Sequence, residues 1–262
     1  MCATCGCAGE HEFEHRKTNG HSHVHGEAAA TRTLRLQRDI LERNAAHARD
    51  NRAWLARRAV AAIDLVSSPG SGKTSLIEAT IRAAGGKLAL SVIEGDQETE
   101  RDAARVRAAG ARAVQINTGT GCHLDAHAVG HALDELDPVP ESIVLIENVG
   151  NLVCPALFDL GEHAKVVVLS VTEGDDKPLK YPHMFRSASL LVLNKIDLLR
   201  HVRFDVDGCL ERARRVNPKL RALALSAATG EGVELWCAWL LARLEAARAS
   251  PRAARDGEAA AS

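Results

Sequence analysis

Ser67-Ser68-Pro69-Gly70-Ser71-Gly72-Lys73-Thr74 stands between an apolar run at 60–66 and a segment of helical character from 74 to about 84. A strand, a glycine-rich turn and a helix in that order form the phosphate loop, G-x-x-x-x-G-K-[ST], here with Ser67 in place of the first glycine. Gly70 and Gly72 let the backbone curl until its N–H groups face phosphate oxygens. The N-terminus of the following helix adds partial positive charge, with Ser71 and Ser75 among the expected nucleotide contacts. Lys73 is expected to reach the β- and γ-phosphates, and the Thr74 hydroxyl to ligate Mg²⁺. Without that chemistry the stretch would be a glycine-rich turn that opens a helix.

Outward from this loop the same order repeats. Apolar runs at 60–66, 88–93, 113–116, 143–146, 166–171, 190–193 and 223–225 alternate with Ala- and Arg-rich segments suited to helices. A last helix is expected over about 232–244. Such alternation builds a mostly parallel sheet covered by helices on both faces, and continuous apolar runs are what doubly buried strands require. The expected fold is therefore an α/β P-loop NTPase domain over residues 59–245. Ahead of it, Leu34, Leu36, Ile40, Leu41, Ala45 and Ala48 fall near helical spacing, which predicts one or two amphipathic helices across 31–58. Residues 1–30 offer little to bury and read as a flexible tail. The Ala/Arg/Glu-rich stretch 246–262 reads as a frayed or disordered one.

Composition narrows the function. Apolar residues make up 46% of the 262, but aromatics only 3%, so Val, Leu, Ile and Ala must fill the core. The formal net charge is −1, which lacks the basic excess that gives nucleic-acid binders their affinity for phosphates. No apolar run approaches the roughly 20 residues of a membrane helix. The N-terminus lacks the charged-then-apolar order of a secretion signal. The expected location is the cytoplasm, where the 7 cysteines serve as ligands, catalysts or core residues rather than disulfides.

Asn194-Lys195-Ile196-Asp197 closes the run at 190–193. An Asp here accepts hydrogen bonds from N1–H and the 2-amino group of guanine, which adenine does not offer. A buried polar site rejects a base without the matching donors. Asn194 is placed to bond the base edge, and the Lys195 stem to lie along the ring. Ser226-Ala227, after the next strand, resembles the backbone segment that meets guanine O6 in GTPases. GTP rather than ATP is the expected nucleotide. Glu147-Asn148-Val149-Gly150 resembles the D-x-x-G element with Glu for Asp: the carboxylate would hold Mg²⁺ directly or through water, and the Gly150 N–H would sense the γ-phosphate. In Glu94-Gly95-Asp96-Gln97, Asp96 is the candidate for positioning the attacking water or the Mg²⁺ shell. The plainer alternative is an N-cap on the helix that follows. Lys73, Asp96 and Glu147 form the expected catalytic set.

Metal ligation is the second theme. Cys2-x-x-Cys5-x-Cys7 packs three thiolates into six residues, soft ligands suited to Zn²⁺, Ni²⁺ or Cu⁺. If Met1 is removed, the new α-amine is a fourth donor, and the set suits a square-planar ion. His11 and His15 lie nearby, and His21, His23 and His25 alternate, so an extended chain would present those three on one side as a weak site or merely a polar tail. Cys122-His123 and Cys154 follow the runs at 113–116 and 143–146. In a parallel sheet both emerge at the carboxyl edge, beside the phosphate loop. Two sulfurs and an imidazole can then converge near the γ-phosphate end of the nucleotide; otherwise they are small buried apolar groups. Cys209 and Cys237 fall among apolar residues of expected helices and read as core. His127 and His131, one turn apart, read as helix surface.

Cys2-x-x-Cys5-x-Cys7, SSPGSGKT at 67–74, EGDQ at 94–97, GCHLDA at 121–126, ENVGNLVCP at 147–155, TEGDDKPLKYP at 172–182 and NKID at 194–197 together resemble the HypB family of hydrogenase nickel incorporation GTPases, of the SIMIBI class, over residues 1–245. Ser67 and Glu147 match that family's own pattern. The resemblance implies a maturation factor that hydrolyses GTP and helps deliver nickel to the large subunit of a [NiFe]-hydrogenase. It implies a tight nickel site at Cys2, Cys5 and Cys7, a second site for Zn²⁺ or Ni²⁺ at Cys122, His123 and Cys154, and a homodimer favoured by GTP. Implied partners are a HypA-type zinc/nickel protein and, in some systems, a nickel-binding prolyl isomerase. A nickel buffer is a competing reading, but five histidines between 11 and 25 are few for a store. A related GTPase serving urease or a cobalamin enzyme is another, which the N-terminal thiolates disfavour. Residues 173–182 follow a strand and would meet either the γ-phosphate side or a dimer partner.

Overall fold

Each of the seven apolar runs is a strand in the computed structural model, which describes residues 23–96 and 101–259. The strands are β1 (Ala61–Ser67), β2 (Leu90–Asp96), β3 (Arg112–Asn117), β4 (Ile143–Glu147), β5 (Ala164–Ser170), β6 (Leu190–Asn194) and β7 (Arg221–Ala224). They form one sheet in the order β3-β2-β4-β1-β5-β6-β7, and every pairing is parallel. The expected mostly parallel sheet is thus wholly parallel. β1, β4, β5 and β6 are buried at every position, which is why they read as apolar runs, broken only by the charged Asp64 of β1 and Lys165 of β5 and by polar residues at their ends.

The helices are α1 (His23–Arg58), α2 (Lys73–Ala84), α3 (Arg101–Ala108), α4 (Ala126–Leu136), α5 (Lys177–Lys180), α6 (Pro182–Ser187), α7 (Val206–Val216) and α8 (Val233–Ala259). On one face, α2 and α8 close a core around the fully buried Trp236, whose indole N–H donates to Thr80 Oγ1 at 2.9 Å. On the other, Leu55 of α1 and Val129, Leu133 and Leu136 of α4 pack with Ile93, Val144 and Ile146 of the sheet. α6 and α7 cover β5 and β6, with Cys209 buried among them. Cys237 of α8 is half-buried at the edge of the first core.

Two boundaries differ from the sequence expectation. The segment at 31–58 is one helix, and α1 begins at His23, inside the stretch read as tail. α8 continues to Ala259 rather than ending near Leu244, through a stretch rich in the helix formers Ala, Arg and Glu that also carries Pro251 and Gly257. Residues 97–100, between Asp96 and the described start of α3 at Arg101, lie outside the described residues, and the N-cap alternative for Asp96 lies there with them. Cys2, Cys5, Cys7, His11, His15 and His21 lie outside the described residues.

The topology decides where the chemistry sits. From central β1 the chain moves out to β2 and β3, returns to slot β4 between β1 and β2, then crosses to β5, β6 and β7. In such sheets ligands bind beyond the carboxyl ends of the strands, near this reversal. Parallel register brings Ser67, Asp96, Asn117, Glu147, Ser170 and Asn194 to one edge, each as the last residue of its strand.

Candidate nucleotide and metal site

A cleft of about 570 Å³ opens at that edge, lined among others by Gly70, Gly72, Lys73, Thr74, Ser75, Glu94, Asp96, Glu147, Gly150, Lys195 and Cys122. Gly72 holds φ at 97°, and a Cβ added there would lie 2.6 Å from Asn194 Nδ2. Only glycine combines that backbone with that approach. Asn194 Nδ2 donates to Ser71 O (3.0 Å) and Lys195 Nζ to Gly70 O (2.7 Å), so the base-recognition motif is tied directly to the phosphate loop. Asn194 Oδ1 accepts from Ala227 N (3.1 Å), and the Ser226 hydroxyl donates to Asp197 Oδ1. The residues expected to surround guanine are therefore gathered at the ends of β6 and β7.

Lys73 Nζ donates to Ser67 Oγ (2.9 Å) and lies 3.9 Å from Glu147 Oε1, which also accepts from Thr74 Oγ1 at 2.9 Å. Gly150 passes so close to the phosphate loop that an added Cβ would meet Pro69 at 3.0 Å. Segment 173–182 turns toward the same loop: Lys177 Nζ donates to Ser68 Oγ at 2.7 Å and pairs with Glu173 at 3.1 Å.

One carboxylate here escaped the sequence reading. Glu94 is buried beside Glu147, and burial first, then the Glu147 charge, push its pKa up to about 11. Burial also raises Glu147, against the opposing charge of Lys73. Glu94 Oε1 and Glu147 Oε2 have no hydrogen-bond partner among the described residues. Two buried acids with unmet oxygens next to a threonine hydroxyl are the donor set a hard divalent cation requires, so these residues fit Mg²⁺. The only signal of Glu94 in the sequence is an acid inside an apolar strand.

The soft donors meet at the wall of the same cleft, which Cys122 lines. Cys122 Sγ lies 3.0 Å from Cys154 Sγ and 3.6 Å from His123 Nδ1, and the three ligand atoms fall within 4.8 Å of one another. Cys122 and His123 come from the β3–α4 connection; Cys154 opens a short 3₁₀ turn, Cys154–Ala156, after β4. Burial lowers the His123 pKa, with Asp125 opposing, so the ring keeps a neutral lone pair for a metal. Its face rests against Phe158, centroids 3.8 Å apart. His127 and His131 are exposed on α4.

Residues 61–224 match the CobW/HypB/UreG nucleotide-binding domain family. The hydrogenase maturation factor HypB of Rhizobium leguminosarum bv. viciae is 59% identical over 218 residues, which span 83% of this chain and 73% of that protein. The chain belongs to the HypB family. HypB of Archaeoglobus fulgidus superposes with a TM-score of 0.72 at 41% identity, over 78% of this chain and 99% of that one. HypB of Helicobacter pylori, solved in complex with nickel, gives 0.73 at 34%, over 78% and 95%. The all-parallel sheet is thus the P-loop fold of HypB and the SIMIBI class.

Proposed function

We propose that this HypB-family protein hydrolyses GTP to GDP and phosphate and uses the cycle to pass nickel to the large subunit of a [NiFe]-hydrogenase during its maturation. The observation that carries the reading is the presence of Cys122 in the wall of the cleft that holds Lys73, Thr74 and Glu147. Sulfur and imidazole donors beside a phosphate site let the state of one ligand change the affinity for the other. The HypB names of the relatives and the nickel in the H. pylori structure support the same cargo.

In this mechanism the loop N–H groups and Lys73 hold the β- and γ-phosphates, Asp96 positions the attacking water, and Gly150 senses the γ-phosphate. Asn194, Lys195, Asp197 and Ser226-Ala227 hold guanine. Thr74 and Glu147, with Asp96 and Glu94 beside them, would hold Mg²⁺, which neutralises phosphate charge. Cys122, His123 and Cys154 take Ni²⁺ or Zn²⁺, and Cys2, Cys5 and Cys7 form the tighter nickel site. The protein works in the cytoplasm as a GTP-favoured homodimer with a HypA-type zinc/nickel protein and a nickel-binding prolyl isomerase as partners.

Lys73→Ala tests the reading. It removes a charge aimed at the transferring phosphate and should lower GTP hydrolysis by about 100-fold or more. Metal binding should survive and hydrogenase maturation in cells should fail. Normal maturation with this variant would favour a metal buffer instead.

A further inference from the structure

The sheet interior contains a charged pair, Asp64 and Lys165, that does not line the cleft. Asp64, in the middle of β1, is 0% exposed, Asn148 1% and Lys165 of β5 6%. Polar groups so fully removed from water persist only when their partners are fixed. Those partners belong to the loops of the site.

Asn148 sits between Glu147 and Gly150. Its Oδ1 accepts from Leu124 N at 3.2 Å, the residue after His123, and from Val149 N at 3.0 Å. Its Nδ2 donates to Asp64 Oδ1 at 3.1 Å. Asp64 Oδ2 lies 2.9 Å from Lys165 Nζ, an ion pair without hydrogen-bond alignment. Lys165 Nζ in turn donates to Pro155 O (2.7 Å), next to Cys154, and to Phe158 O (3.0 Å), whose ring supports His123. Burial alone would lower the Lys165 pKa, but the charges of Asp64 and Glu162 outweigh it and hold the ammonium charged.

We infer that Asn148, Asp64 and Lys165 are positioning residues that tie the loop expected to sense the γ-phosphate to both loops that carry the metal donors. This deepens the nucleotide-and-metal reading above and rests on it. A shift of residues 147–150 drags the Asn148 amide. That amide cannot stay bonded to Leu124 and Asp64 unless they follow, and in a dry interior a broken bond leaves an unpaired group. The Cys122–His123 side and the Cys154 side therefore respond together. The hub acts on the separation of the donors while supplying none of them.

The test uses the full chain with Cys5→Ser and Cys7→Ser to silence the tail, and compares Ni²⁺ affinity with GDP and with a non-hydrolysable GTP analogue. The parent protein should show a ratio of about tenfold. Asn148→Ala and Lys165→Met should bring that ratio to within about twofold, and in Lys165→Met, at a residue outside the cleft, nucleotide affinity and the GDP-state Ni²⁺ affinity should stay near those of the parent. With Co²⁺ as probe, the nucleotide-dependent change in its visible spectrum should vanish in both variants. Parent-like ratios in folded variants overturn the hub alone, whereas a ratio of one in the parent overturns the reading beneath it. Where a variant does not fold, amide exchange in the unmutated chain decides. Leu124 N–H must change protection between the two nucleotides, and identical protection overturns the proposal.

Discussion

His163 shows how a single ring sets a pH limit. Its Nδ1 accepts from Ala62 N at 3.1 Å at the edge of β1, although the residue keeps part of its surface in solvent. Burial, and then the charge of Arg52, hold its pKa below the ordinary 6.5. The unfolded chain therefore binds a proton that the folded chain resists. The stabilisation is complete above the ordinary histidine range and drains away as pH falls through and below it. Urea unfolding at about pH 7.5 and about pH 5.5 should show a loss of midpoint that is smaller in His163→Gln, whose amide oxygen replaces the acceptor without titrating. Equal losses in both proteins would move the effect elsewhere. At this scale the sequence was most legible in placement, since Lys73 and Cys122 line one cleft and Asp197 meets Ser226 beside it. It was least legible at Glu94 and Asn148, whose burial and neighbours spacing does not reveal.

The elements followed the apolar pattern closely: four strands are buried at every position and must be largely apolar, and the partly exposed β3 and β7 at the sheet's ends still carry short apolar runs. α1 was legible only as a helix. Of the periodic apolar residues, Ala48 is buried and Ile40, Leu41 and Ala45 are half-buried, and the buried seam runs through Asn44, Ala48, Asn51 and Leu55. Two of those four are polar, and polar seam residues are invisible to a search for apolar spacing. Their function is to hold backbone. Asn44 Oδ1 accepts from Ala126 N at the first turn of α4 (2.8 Å), and its Nδ2 donates to Asp159 O (2.8 Å). Asn51 Nδ2 donates to Ala126 O (2.7 Å) and Leu160 O (2.9 Å). α1 thus clamps the connections that follow both metal-donor segments, and a Cβ at Gly161 would meet Ala48 O at 2.6 Å. Asn51→Ala leaves two buried carbonyls without their donor and should cost about 2–3 kcal/mol in urea unfolding. A loss below about 0.5 kcal/mol would mean that water takes the amide's place.

Across the whole molecule, the proposed metal donors fall into two sets, one among the described residues and one ahead of them in sequence. Cys122, His123 and Cys154 sit on connections fixed by the sheet, by α1 and by the Asp64–Lys165 pair. Cys2, Cys5 and Cys7 precede α1 in sequence and lie outside the described residues. Removing residues 1–22 should leave the folded domain and its nucleotide site intact, since the sheet and its three cores are formed by later residues. Equilibrium dialysis against Ni²⁺ should then lose the tighter class of site and keep the weaker one. The retained site should respond to a change from GDP to a GTP analogue, because its donors share loops with Glu147 and Gly150. Its affinity should also fall as pH drops, since thiolates and a neutral imidazole must shed protons to bind. A truncated protein that binds no Ni²⁺ in either nucleotide state would remove the donor cluster from the mechanism. One that keeps the tight class would move that class from the tail to the G domain.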